Sequence, residues 1–111
     1  MVPTATTTPP TAGMRVLAQL LQDRGLSPGS YALFFTVGEG TYFQVPGSPE
    51  PIEESSGFVI DTAGAIHAFW LEWDSERQRP ILSDWEPAEP EPSWEGDAEY
   101  EDARRQVGLA T

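Results

Sequence analysis

The chain has no cysteine, no lysine and a single histidine, His67. Without cysteine there is neither a disulfide nor a thiolate nucleophile or metal ligand, so stability must come from packing. With one histidine there is no second imidazole for a zinc centre. The missing lysines leave six arginines against 18 acidic residues, a formal charge of −12. Nucleic-acid binding rests on cations that neutralise phosphates and release counterions, and anionic membranes attract basic segments for a related reason. Neither nucleic acid nor membrane is therefore an expected partner. A field of this sign steers basic proteins or cations inward instead. Also absent is any apolar run of ~18 residues, and "MVPTATTTPPTAG" lacks the basic start and apolar stretch of a secretory leader. The expectation is a soluble, cytoplasmic protein of one domain, which is what 111 residues support.

What is present divides the chain into three parts. Residues 1–12, rich in Thr, Pro and Ala, have the composition of a disordered or loosely held tail. Residues 13–85 carry the periodicities of a single α+β domain. In "GMRVLAQLLQDRGL", Met14, Leu17, Ala18 and Leu21 form one helical stripe that Val16 and Leu20 widen. Gly25 supplies a left-handed stop, Leu26 folds back onto the last turn, and Pro28 prevents continuation. "YALFFTVGEGTYFQV" reads as a hairpin of Tyr31–Val37 and Thr41–Val45 around Gly38-Glu39-Gly40. Both faces of its first strand are apolar, Tyr31, Leu33, Phe35 and Val37 on one and Ala32 and Phe34 on the other.

"GFVIDTAGAIHAFWLEWD" is a second hairpin, with Asp61 and Gly64 placed as a type I turn requires. A three-residue loop with a bulge at Gly64 and a two-residue loop at Ala63-Gly64 are both compatible with it, and they differ by one residue of register. "DSERQR" turns the chain into a last strand from Pro80 to Trp85. Residues 86–111 are an acidic, proline-rich connector and a short helix from about Asp97 to Val107, packing on the domain or on a partner. Its acids come early and Arg104 and Arg105 late, with Gly108 as the stop, and Glu101 and Arg105 stand four apart in the favourable order. The fold class expected is α+β: an antiparallel meander of about five strands, an N-terminal amphipathic helix on one face, and a short C-terminal helix.

Chemistry-bearing patterns are few. Gly38-Glu39-Gly40 is not followed by a helix and so does not cradle a phosphate. The carboxylate spacing does not match a calcium loop, and no serine lies in a nucleophile-elbow pattern. No cofactor, metal or catalytic residue is expected. The informative feature is "AFWLEWD", Ala68 to Asp74, where one strand face carries His67, Phe69, Leu71 and Trp73 and the other Ile66, Ala68, Trp70 and Glu72. One helix covers one face of a sheet. Either the connector and terminal helix, with Trp85 and Trp94, wrap the second face, or that face is an interaction surface, since tryptophan is enriched in interfaces, or it is a stacking platform for a sugar or nucleotide.

The expected function is a small non-enzymatic protein–protein interaction module of inhibitor, immunity or adaptor type. Its partner is a basic protein, or a second copy in a homodimer. Trp70, Trp73, Trp85 and Trp94 would anchor the partner, and Glu72, Glu86, Glu89 and Glu91 would select it. The alternatives are a ligand-binding domain or small enzyme with its site at His67, Asp61 and Trp70, and a purely structural homodimer.

Overall fold

The computed structural model describes residues 11–109. Its elements are α1 (Ala12–Asp23), β1 (Tyr31–Phe43), β2 (Ile52–Asp61), β3 (Ile66–Asp74), β4 (Arg79–Ala88), a 3-10 turn (Pro92–Trp94) and α2 (Ala98–Gln106). The four strands form one antiparallel sheet in the order β1-β2-β3-β4. The class is thus the α+β meander expected, with four strands. The expected tail falls, for residues 1–10, outside the described residues. Its last two positions belong to the helix: the Thr11 hydroxyl accepts from the Met14 amide as N-cap, and Ala12 is buried.

α1 ends as its sequence predicts. Gly25 adopts φ 89°, its amide donates to the Gln22 carbonyl and the Leu26 amide donates to Leu21, the paired bonds of a Schellman stop. Leu17 and Leu21 bury against the sheet while Val16, Leu20 and Leu26 flank them. Met14, expected on the buried stripe, is more than half exposed. The first hairpin differs from expectation. Gly38-Glu39-Gly40 is no turn between strands; β1 runs straight through it and pairs with β2 from Tyr31↔Asp61 to Phe43↔Ile52. The extra residues form an irregularity between Gly38 and Tyr42, where Gly40 takes φ 80° and its amide donates to the Glu53 carboxylate. A Cβ at Gly38 would collide with that carboxylate. Glycine pairs satisfy turns and bulges alike, which is why composition pointed to a hairpin.

The second hairpin takes the three-residue loop. Ile60 faces Ile66, the Asp61 amide donates to the Ala65 carbonyl, the Gly64 amide donates back to Asp61, and Gly64 sits at φ 86°, the geometry of a type I turn with a glycine bulge. The register places two cores on opposite faces. The first, under α1, holds Leu17, Leu21, Val59, Phe69, Leu71 and Leu82, with Trp73 and Trp85 packed at its margin. The second joins Ala32, Phe34, Ile60 and Ile66 to Trp94 of the 3-10 turn and to Tyr100, Ala103 and Val107 around α2. α2 docks on the sheet although its apolar stripe is thin, because Ala103, only 1% exposed, allows the helix to sit close. Arg105 pairs with Asp102 at 3.3 Å, not with Glu101.

Two bulges move side chains between faces. Between Phe34 and Val37 two residues of β1, Phe35 and Thr36, oppose the single Gly57 of β2, and Phe35 takes φ 52°. Phe35 thereby joins Phe34 in the second core, against the simple alternation, and Val37 is left exposed. In β4 the pairs Trp70↔Asp84 and Leu71↔Leu82 leave Ser83 as an extra residue. That lets Leu82 and Trp85, three apart, both serve the first core.

Candidate functional site

The four tryptophans separate by environment. Trp94 is 6% exposed and its ring meets Phe34, Phe35, Phe58 and Tyr100 within 4.9–5.6 Å, so it holds α2 to the sheet and is not available to a partner. Trp73 packs tilted on Phe43 at 5.6 Å, and Trp85 stacks on His67 at 4.6 Å with planes 8° apart. Both belong to the margin of the α1-side core. Trp85 therefore lies on the face opposite to Trp94, and the two do not wrap one face together. Trp70 alone joins neither core among the described residues.

The position of Trp70 follows from alternation. Phe69 and Leu71 on either side point into the first core, so Trp70 projects from the second face, beyond the end that α2 covers. Its direct cross-strand partners are Ser56 on β2 and Asp84 on β4. Along its own strand lies Glu72, whose carboxylate accepts from the Ser83 hydroxyl. Glu86 faces Ala68 two pairs along, on the same face. From the β1 bulge the Glu39 carboxylate accepts from the Ser56 hydroxyl at 2.7 Å, adding a further acid beside the tryptophan. Trp70 is half-buried in a sheet surface whose charged neighbours are Glu39, Glu72, Asp84 and Glu86, with no arginine at the paired positions. Glu89 and Glu91 are exposed on the connector beyond β4. Asp84 and Glu39 are the members that sequence reasoning missed: Asp84 is brought in by the Ser83 bulge, Glu39 by the β1 irregularity, and neither has a local signal.

The three residues of the alternative ligand site are not brought together. His67 lies on the α1 face against Trp85, Trp70 on the other. The Asp61 carboxylate accepts from the Ala63 and Ala65 amides, both at 2.9 Å, and so is spent on its own turn. Among the described residues no three acidic or histidine side chains converge as a metal site, and no helix is long and apolar enough to cross a membrane.

Two concave places lie elsewhere. Met14, Val37 and Tyr42, the exposed large apolar side chains, rim one groove of about 440 Å³ between α1 and β1, floored by Leu17, Phe69 and Leu71. A second cleft, of about 430 Å³, opens between the end of α1 and the β3–β4 turn. Comparison of the chain with protein-family models, with curated proteins and with solved structures finds no match.

Proposed function

We propose that the protein is a small, non-enzymatic interaction module that binds a basic protein through the open half of its second sheet face, centred on Trp70. The observation that carries this reading is that the one tryptophan outside both cores sits among carboxylates supplied by three other strand positions and a bulge. An indole ringed by charge of one sign combines an anchor, which supplies affinity once water is excluded, with a selective rim, which supplies steering and partner choice. Glu72 and Glu86 keep the role the sequence suggests for them, joined by Asp84 and Glu39. Trp73, Trp85 and Trp94 act through the fold.

The test is a pull-down with the tagged chain at low and high salt, followed by a titration of the retained protein against Trp70→Ala. The reading requires a basic protein that is held at low salt and largely released at high salt, and a loss of at least ~2 kcal/mol on Trp70→Ala with little change in melting temperature. A retained partner indifferent to Trp70→Ala would remove this face from consideration. Retention of the bait alone would turn attention to a homodimer, which concentration-dependent melting would reveal.

The small-ligand alternative is favoured by a different place from His67. The groove rimmed by Met14, Val37 and Tyr42 has a volume in the range of small-molecule sites, and binding there would be insensitive to both His67→Ala and Trp70→Ala.

A further inference from the structure

We infer that the cleft between the end of α1 and the β3–β4 turn is a binding site for a small phosphate monoester. Three of the six arginines of the chain, Arg24, Arg77 and Arg79, line this space of about 430 Å³. In a chain with three acids for every base, guanidinium groups should find carboxylates. Here most do not. Arg77 pairs loosely with Asp74 at 3.7 Å while its side chain stays 67% exposed, and neither Arg24 nor Arg79 forms an ion pair among the described residues. The one acid lining the cleft, Asp23, is engaged by the Gln19 amide one turn back, at 3.1 Å.

Arg24 is also held in advance. The Arg24 guanidinium lies 5.2 Å over the Trp85 ring, Trp85 is in turn stacked on His67, and one Arg24 nitrogen reaches the Leu82 carbonyl at 3.5 Å. The cation–π contact fixes the plane of the group, which lowers the ordering cost of binding. The C-terminal end of the α1 macrodipole accounts for a cation at Arg24. It does not account for Arg77, in the turn between β3 and β4, or for Arg79, the first residue of β4. Arginines that line one space from two elements can present forked donors to a tetrahedral, doubly charged oxyanion from more than one side, which suits it better than a flat carboxylate. Leu20, Ile81 and Leu82 beside them offer apolar contact to the ester group. His67, which no catalytic grouping uses, has a place here as the layer that supports Trp85.

The Arg24 end of the cleft lies with Leu82 and Trp85 on the α1 side, away from Trp70, while Arg79 stands at the start of β4 opposite Asp74. Calorimetric titration of the full chain with phenyl phosphate, inorganic phosphate and benzoate tests the site at moderate salt, where the overall negative field is screened beyond ~10 Å. Phenyl phosphate should saturate at one per chain, more tightly than either other probe. Arg79→Gln, a change at an exposed residue outside both cores, should weaken it at least about tenfold, and Arg105→Gln on α2 should leave it within about twofold. The absence of saturable heat up to about 10 mM phenyl phosphate, equal binding of benzoate, or an Arg79→Gln variant that binds like the parent would each overturn the assignment.

Discussion

At the scale of single residues, the most consequential is Phe35, a bulky side chain at φ 52°. That left-handed conformation costs a non-glycine residue about 1–2 kcal/mol, and it persists because the environment over-determines it. The Phe35 ring lies 5.1 Å from Phe34 and 5.6 Å from Trp94, and its amide donates to the Glu99 carboxylate of α2. In an ordinary strand, glycine is roughly 0.5–1 kcal/mol worse than alanine. At position 35 that order should invert, since both substitutions lose the ring but only glycine is free of the strain. Urea unfolding of Phe35→Gly and Phe35→Ala checks this, with glycine expected about 1 kcal/mol more stable. An alanine variant at least as stable as the glycine variant would mean the left-handed bulge is not what folds this strand. The caps, by contrast, were legible residue by residue: Gly25, Gly64 and Gly108 are where stops and turns require them, because short-range chemistry alone decides those positions. Phe35 was not, because nothing local distinguishes a bulge from continued alternation.

At the scale of elements, α2 is nine residues long, too short to be stable alone in water. Asp97 caps it through the Glu99 and Tyr100 amides, yet its helix depends on tertiary contact through Tyr100, Ala103 and Val107. Trp94 is the side chain that joins this helix to the sheet. Trp94→Ala should therefore cost ~3–5 kcal/mol, and hydrogen exchange should show the amides of α2 losing protection together. Protection retained in α2 would contradict a shared core. Trp70→Ala should do neither, so the two tryptophans that the sequence presents alike are expected to separate into one structural and one surface role. The sequence shows why it could not separate them: alternation assigns faces within a strand, but which part of a face α2 covers is set by its return to β1, where Phe35 and Glu99 meet 64 residues apart. The strand count suffered similarly. Gly38-Glu39-Gly40 has turn composition, and only the pairing of Tyr42 with Glu53 reveals that β1 continues.

At the scale of the whole molecule, charge is unevenly distributed. Acids collect on the open sheet half around Trp70 and along the connector, while Arg24, Arg77 and Arg79 line the cleft between the end of α1 and the β3–β4 turn. A net charge of −12 on 111 residues imposes self-repulsion on the folded state, because compaction brings the carboxylates closer than the unfolded chain does. The pairs Arg77–Asp74 and Arg105–Asp102, each three residues apart and with an exposed guanidinium, do little to offset it, because pairs of that kind contribute little. Raising salt from about 10 mM to about 200 mM shortens the screening length from ~30 Å to under 10 Å, which should relieve the repulsion and raise the melting temperature of the free protein by a few degrees. The same salt should weaken the association proposed for the Trp70 face, since steering of a basic partner draws on the same field. Stability and binding are thus expected to respond to salt in opposite directions, which calorimetry of the free chain and titration of the complex measure separately. Parallel responses would mean that the acidic surface contributes to the fold and not to recognition. Substituting Glu72 and Glu86 by Gln sharpens the contrast: removal of two like charges from one face should leave the melting temperature equal or higher while the salt slope of binding becomes shallower.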